Sequence, residues 1–371
     1  MFLHSLHLDS FKNFPKARIK FRQRFVVFWG DNGAGKTNLL DAIHYLSTGK
    51  SYFNYIDAQN IQHGEKYFMV EGELKRLEEN DTVLIGQVRG RKKVIKKNQV
   101  AVPRMTEHYG RYPVVMVTPY DVDLITGGSE TRRKFMDAAI SQDDKAYMQL
   151  LSQYERALQQ RNALLKDAEE IGRLNRELLG IYDQKLHETG SLIYEVRSRF
   201  IAEFLPYFRE YVKAITQGRE DVSLTYQSRL HEMPLLERLK KNLQRDLALQ
   251  RTSSGIHKDD LEFTIGDHPL KKFGSQGQQK SYLLALKLAE FSYIKDRKGF
   301  PPLLLLDDLF DRLDRHRVRQ LISLLFHLDY GQVFITDTSL ARVEEYILPV
   351  AKEVDLYHVV KGSVAEQSAH I

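Results

Sequence analysis

Residues 30 to 37 read Gly30-Asp31-Asn32-Gly33-Ala34-Gly35-Lys36-Thr37, which fits the spacing G-x-x-x-x-G-K-[ST]. Glycines at these positions let backbone N–H groups close around a polyphosphate, Lys36 reaches the β and γ phosphates, and Thr37 offers a hydroxyl to Mg2+. The alternative is a glycine-rich turn with a solvated lysine. A second cluster is Leu303-Leu304-Leu305-Leu306-Asp307-Asp308, an apolar run that ends in two acids. In phosphoryl chemistry Asp307 would hold the metal and Asp308 would orient or deprotonate the attacking water. Alone, such a run is also an ordinary strand leading into a turn. A third is Lys272-Phe273-Gly274-Ser275-Gln276-Gly277-Gln278-Gln279-Lys280-Ser281, where a serine, glycines and amides open a helix and expose N–H groups to an anion.

The elements around these clusters have the expected order. Arg24-Phe25-Val26-Val27-Phe28-Trp29 reads as a buried strand before the glycine loop, and Leu39, Leu40, Ile43 and Leu46 recur at helical spacing until Gly49. Further strand-like runs are Leu3 to Leu8, Arg18 to Phe21, Tyr67 to Leu74, Thr82 to Val88 and Val114 to Val117. From Ser129 to Thr216 the text turns charged and helix-favouring, with Tyr147, Leu151, Tyr154, Leu158 and Leu165 in a stripe that fits either a core or a partner seam. Helices of about two dozen residues, ~36 Å at 1.5 Å per residue, are expected there, with no long coiled-coil arm. Strand-like text returns at Leu261 to Ile265, Pro302 to Leu306 and Val333 to Thr336, with a helix from Gln278 and another between the last two strands. The order describes an α/β core interrupted by a helical lobe, with boundaries expected at 1–118, 119–250 and 251–371. No internal repeat or low-complexity tract is evident.

The chain has 371 residues, 42% of them hydrophobic, which is enough for a large core and more than one lobe. It contains no cysteine, so no cysteine-based metal, redox or disulfide chemistry is available. The segment Met1 to Asp9 lacks a basic head followed by an apolar stretch, and no run approaches the ~20 apolar residues of a membrane span. The expectation is a cytoplasmic protein without a membrane partner. A net charge of +6 favours polyanions without selecting one.

Glycine loop, Ser-Gln-Gly-Gln-Gln and Asp-Asp, in that order, resemble the head domains of ATP-binding-cassette proteins, with Ser275 to Gln279 standing for their signature motif. Within that superfamily the chain resembles the RecF family of bacterial replication and recombinational repair proteins over nearly its whole length. The matching pieces are Phe11-Lys12-Asn13-Phe14, the glycine loop, Pro119 to Leu124, Thr131 to Asp137, Gln160 to Lys166, His257 to Leu261, Gly274 to Gln279 and Leu306 to Phe310. The resemblance implies an α/β ABC-type P-loop ATPase head with a mixed-sheet lobe and a helical insertion lobe. It implies ATP and Mg2+ held by Gly30 to Thr37, metal at Asp307 as well as Thr37, and catalysis by Lys36, Asp307 and Asp308. Ser275, Gln276, Gly277 and Gln278 would contact the γ-phosphate bound to a second copy, and Asp314 would be a loop acid acting across the dimer.

The same resemblance implies an ATP-dependent homodimer, head to head on DNA near single-strand gaps, whose weak, DNA-stimulated ATPase releases it. It would bind single-stranded, gapped or junction DNA, act with RecO- and RecR-type mediators in recombinase loading and SOS induction, and sit on the bacterial nucleoid. The chain departs from the family pattern where Phe310-Asp311-Arg312-Leu313-Asp314 replaces Phe-Ser-Glu-Leu-Asp, and at two further places: Phe53 follows Ser51-Tyr52 where an arginine is usual, and Gly255-Ile256-His257-Lys258 replaces Gly-Pro-His-Arg, whose arginine roles are in question. Those roles are not carried over. The alternatives are an SMC-like architectural head that tethers DNA, disfavoured by the lack of long heptad arms, and a transport ATPase.

DNA contacts are harder to place. Arg89, Arg91, Lys92, Lys93, Lys96 and Lys97 cluster on one hairpin, and could neutralise phosphates or simply protect a sheet edge. Arg132-Arg133-Lys134 is the second candidate, with intramolecular pairing to Asp137 as the alternative. The histidines lack metal-ligand spacing, and no Ser-His-Asp triad is evident.

Overall fold

A computed structural model describes residues 1–54, 56–308, 315–327, 330–351 and 353–367. The chain groups into two compact units. The first comprises Met1–Asp121, Glu210–Arg219 and Gln276–Ile371; the second comprises Val122–Arg209 and Glu220–Ser275. Strand-like text suggests a return to the first lobe at residue 251, whereas the contacts keep the chain in the second unit through Ser275.

In chain order the strands are β1 (Phe2–Phe11), β2 (Phe14–Lys20), β3 (Phe25–Trp29), β4 (Tyr67–Arg76), β5 (Glu79–Val88), β6 (Val94–Lys97), β7 (Val100–Ala101) and β8 (Val114–Val117). They continue with β9 (Val222–Gln227), β10 (Asp260–Ile265), β11 (His268–Pro269), β12 (Leu303–Leu306), β13 (Val333–Asp337), β14 (Val354–Val360) and β15 (Ser363–Gln367).

The first unit holds two six-stranded sheets, ordered β2-β1-β4-β5-β6-β7 and β15-β14-β3-β13-β12-β8. In the former every pairing is antiparallel, and β4 and β5 alternate buried with half-buried or exposed residues, as a sheet with one wet face requires. In the latter β14, β3, β13, β12 and β8 run parallel, and only β15 is antiparallel. Phe25 to Phe28 and all of β8 and β12 are buried, the continuous apolar text of a sheet covered on both faces. The helix Lys36–Thr48 contributes Leu39, Leu40, Ile43 and Leu46 to the same core as Phe11, Phe28, Phe68 and Phe334. Gly72 admits that helix, since a Cβ there would overlap Leu46. Gly49 ends it in the left-handed region (φ 72°) and gives its N–H to the Tyr45 carbonyl.

The second unit is mainly helical, with helices Ser129–Ser141 and Lys145–Ile171, but it also contains the antiparallel sheet β11-β10-β9. Strand β9 is not evident in the sequence. Its alternation is only six residues long, and its partner β10 lies 33 or more residues downstream. The Tyr147, Tyr154 and Leu165 stripe is buried, joined by Ala157, so it packs a core.

The helix Arg176–Thr216 corrects the expected helix length: it has 41 residues, ~62 Å at 1.5 Å per residue, not two dozen. Gly180, Gly190 and Pro206 all lie within it rather than ending it. Gly190 is used for packing, because a Cβ there would press on Leu235 and Tyr154.

Candidate functional site

Because β3, β12, β13 and β8 are parallel, their C-terminal ends lie along one edge of the sheet, the place where such sheets present ligand sites. The register fixes what meets there. Leu306 pairs with Ile335 and with Val117, and Ile335 pairs with Val27. The next residues along β12 and β13, Asp307 and Thr336, therefore emerge at the edge where the glycine loop follows Trp29, with Thr118 farther along that edge at the end of β8.

The loop is glycine-rich for local reasons. Gly30 has φ 149° and lies against the Val359 carbonyl of β14, where a Cβ would collide. Gly35 has φ 116°, and a Cβ would come within 2.5 Å of the Asn13 side-chain nitrogen. Asn13 buttresses the loop: its amide donates to the Ala34 carbonyl at 3.0 Å and accepts from Asn38 at 2.8 Å. In the sequence Asn13 stands out only as part of the Phe11-Lys12-Asn13-Phe14 match. The turn between β1 and β2 aims it at the loop.

Lys36 is buried, its ammonium donating to the carbonyls of Gly30 at 2.7 Å and Asp31 at 3.0 Å. Burial lowers its pKa, opposed by Asp308, Asp307, Asp337 and Asp31. Thr37 donates its hydroxyl to Asp307, 2.9 and 3.0 Å from the two carboxylate oxygens. Thr336 donates to Asp307 Oδ1 at 2.8 Å and accepts the Asp308 N–H at 2.9 Å, so one hydroxyl ties both acids together. Asp308 is in the left-handed region (φ 46°), unusual for a residue with a Cβ. The Asp307 carboxyl is raised above its ordinary value, mainly by burial, against the lowering influence of Thr336, Thr37 and Lys36. A hydroxyl and a carboxylate converging from two elements form an all-oxygen donor set that suits a hard divalent ion such as Mg2+.

The glycine loop, Lys36, Thr37, Asp307 and Asp308 are thus brought to one sheet edge. Thr336 is a member that the sequence offers only as one hydroxyl after a strand. Ser275 and Gln276 are exposed and Gly277 and Gln278 half-buried, at the start of the helix Gln276–Lys298, with the division between the units falling between Ser275 and Gln276. Asp314, together with Leu309 to Leu313, lies outside the described residues.

Around Phe53 the backbone is anchored by Asp41, which accepts Ser51 Oγ at 2.6 Å and the Tyr52 N–H at 2.7 Å and pairs with Lys12. Lys12 also lies over the Phe53 ring, 5.3 Å from its centroid.

The basic candidates separate into two groups. Arg91 and Lys92 are exposed. Lys93 is committed internally, donating to the Gly49 carbonyl at 2.5 Å and to Asp57 at 2.7 Å. Arg132 forms a two-pronged pair with Asp260, at 2.6 and 2.9 Å, and also donates to the carbonyls of Leu124 and Gly127. Arg133 donates to the Asp259 carbonyl at 2.6 Å. Asp137, the expected partner of this run, is instead held by Arg197.

Comparison with known proteins agrees with this geometry. A family model described as RecF/RecN/SMC N terminal domain matches residues 2–355. A DNA replication and repair protein RecF of Flavobacterium johnsoniae is 47% identical over 94% of this chain and 97% of its own length, and one of Bacteroides thetaiotaomicron is 40% identical over all of both chains. The solved structure of RecF with ATP, described as the recombination mediator protein of the RecFOR pathway, superposes with a TM-score of 0.88 at 29% identity, covering 99% of this chain and 98% of that one. An Smc head bound to a winged-helix domain of ScpA shares the fold, with a TM-score of 0.59 at 16% identity. The chain belongs to the RecF/RecN/SMC N-terminal domain family, and within it to the RecF-like replication and repair ATPases.

Proposed function

We propose that this ATPase works as a switch: ATP and Mg2+ held by Gly30 to Thr37, Asp307 and Asp308 join two copies head to head on DNA, and slow, DNA-stimulated hydrolysis releases them. The observation that carries the reading is the Thr37–Asp307–Thr336–Asp308 cluster beside the glycine loop, which supplies metal ligands and a second acid within one hydrogen-bonded group. Mg2+ there would offset charge on the phosphates, while Lys36 binds them and Asp308 orients water. In the dimer, Ser275 to Gln278 of one copy would meet the γ-phosphate on the other, using the exposed end of their helix.

The setting we infer is gapped or single-stranded DNA, with RecO- and RecR-type mediators, recombinase loading and SOS induction; the relatives support it as far as DNA replication and repair and the RecFOR pathway. A protein acting there would sit in the cytoplasm, on the nucleoid. Among the described residues no helix is long and apolar enough to cross a membrane. Arg91 and Lys92 remain candidate DNA contacts, while the internal bonds of Lys93 and Arg132 assign those side chains to the fold.

Sedimentation with and without ATP, and with gapped, duplex and single-stranded DNA, tests the reading. ATP should produce a dimer that DNA stabilises, and Lys36→Ala should abolish it. A dimer fraction that ignores both ATP and Lys36→Ala overturns the switch.

A further inference from the structure

The segment from Gln250 to Asp259 in the second unit is irregular apart from one short turn, yet it is held at almost every residue. Arg161, fully buried, donates to Asp183 at 2.6 Å, Asp246 at 2.8 Å and Thr252 at 2.9 Å. Asp246 in turn accepts the N–H and hydroxyl of Ser253, Asn162 accepts those of Thr252, and Asn242 donates to Ser254. Gly255 has φ 135° and passes directly beneath the Tyr154 hydroxyl, where a Cβ would collide. His257 is 3.1 Å from the Thr252 carbonyl through Nε2 and 2.7 Å from the Tyr154 hydroxyl through Nδ1. A carbonyl can only accept, so Nε2 carries the proton and Nδ1 accepts from Tyr154.

This framework presents Arg251 and Lys258, which flank the Thr252–His257 contact and are both exposed. Neither side chain has a hydrogen-bond or ion-pair partner among the described residues. Arg133 reaches the same place, bonded to the carbonyl of Asp259 next to Lys258. The neighbouring acids are already matched: Asp246 and Asp183 by Arg161, Asp137 and Asp259 by Arg197, and Asp260 by Arg132. Those five acids face the three arginines that bond them, and Arg133, Arg251 and Lys258 carry the local sum from -2 to +1, with Arg251 and Lys258 as its exposed cations on a rigid support. The Lys258 ammonium is lowered by burial and then by the nearby Arg251 and Arg133, the crowding of like charge that an anion would relieve.

We propose that Arg133, Arg251 and Lys258 form a binding site for backbone phosphates of a nucleic-acid strand. Holding cations on a fixed segment removes part of the ordering cost of binding. The site differs from the hairpin cluster at Arg91 and Lys92, and the proposal rests on the DNA-binding reading of the chain.

The test uses the full chain with ATP and a fluorescein-labelled gapped duplex, measuring affinity by anisotropy across salt concentrations. Arg251→Gln with Lys258→Gln should weaken binding about tenfold and flatten the salt slope by about 1.8, two phosphate contacts at ~0.9 each. Lys185→Gln with Lys240→Gln, an equal charge loss at exposed sites in the same unit, should do neither. Thermal unfolding and binding of a fluorescent ATP analogue should be unchanged in both. If the cluster variant matches the Lys185/Lys240 control, or loses ATP binding instead, this site is overturned while the DNA-binding reading stands. If the unmodified chain binds no DNA, both fall.

Discussion

Replacing Thr336 with valine keeps shape and removes one hydroxyl, a clean perturbation of the acid pair. The hydroxyl donates to the Asp307 carboxylate and accepts the Asp308 N–H. A hydrogen bond to a charged group contributes about 1.5–3 kcal/mol, and a buried donor left unmade costs about 1–3 kcal/mol. The two share one atom and do not add, so about 3 kcal/mol is a fair total. At 1.36 kcal/mol per decade this is roughly a hundredfold fall in kcat, with ATP affinity little changed because the loop contacts of Lys36 remain. The same contact sets the sign of the pH effect. Burial raises the Asp307 carboxyl and Thr336 is the leading influence lowering it, so the variant should protonate at higher pH and the acidic limb of the rate should move up. Thr336→Ser should restore both. Steady-state hydrolysis against pH, with binding of a fluorescent ATP analogue, reads the outcome; a Thr336→Val protein with unchanged kcat and acidic limb refutes the positioning argument.

Other expectations concern the supports. Arg161→Met leaves Asp183 and Asp246 buried without a cation, and should lower stability by about 3–5 kcal/mol in urea unfolding. Lys93→Glu should destabilise by opposing Asp57, whereas Lys92→Glu should leave the melting temperature unchanged and act only on DNA affinity. Burial lowers His257 to about 4 from an ordinary 6.5, so its contribution to stability is present above pH 6.5 and is lost as pH falls from there toward 4. Amide exchange in residues 250–259 should accelerate over that window, and His257→Gln should flatten the dependence.

The glycine loop and the paired acids of the candidate site are legible in the sequence because their signals are local. A glycine loop needs its glycines in order, and a buried strand that ends in two acids declares both its burial and its exit. The role of Thr336 is not legible, since it depends on β12 and β13 pairing in a register that brings residue 336 beside residue 307. Cations are the hardest to read. Arg132 and Arg251 look alike in a sequence, yet one is locked onto Asp260 and the other has no side-chain partner among the described residues, a difference set by an acid 128 positions away. The length of the helix Arg176–Thr216 is hidden because glycine and proline usually mark helix ends, and here packing overrides them.

The order of the parallel sheet also bears on how the chain acquires its shape during synthesis. Of its strands, β3 and β8 emerge first, but they are not neighbours: β3 lies between β13 and β14, and among the described residues β8 pairs only with β12. Both early strands therefore wait, apolar and unpaired, until residues beyond 302 have left the ribosome, which at ~5–20 residues per second is a delay of ~10–40 s for β8. The glycine loop cannot close on a nucleotide before then. Nascent chains halted before β12 should be open to chaperones and proteases, and ATP should protect only chains that have released β14.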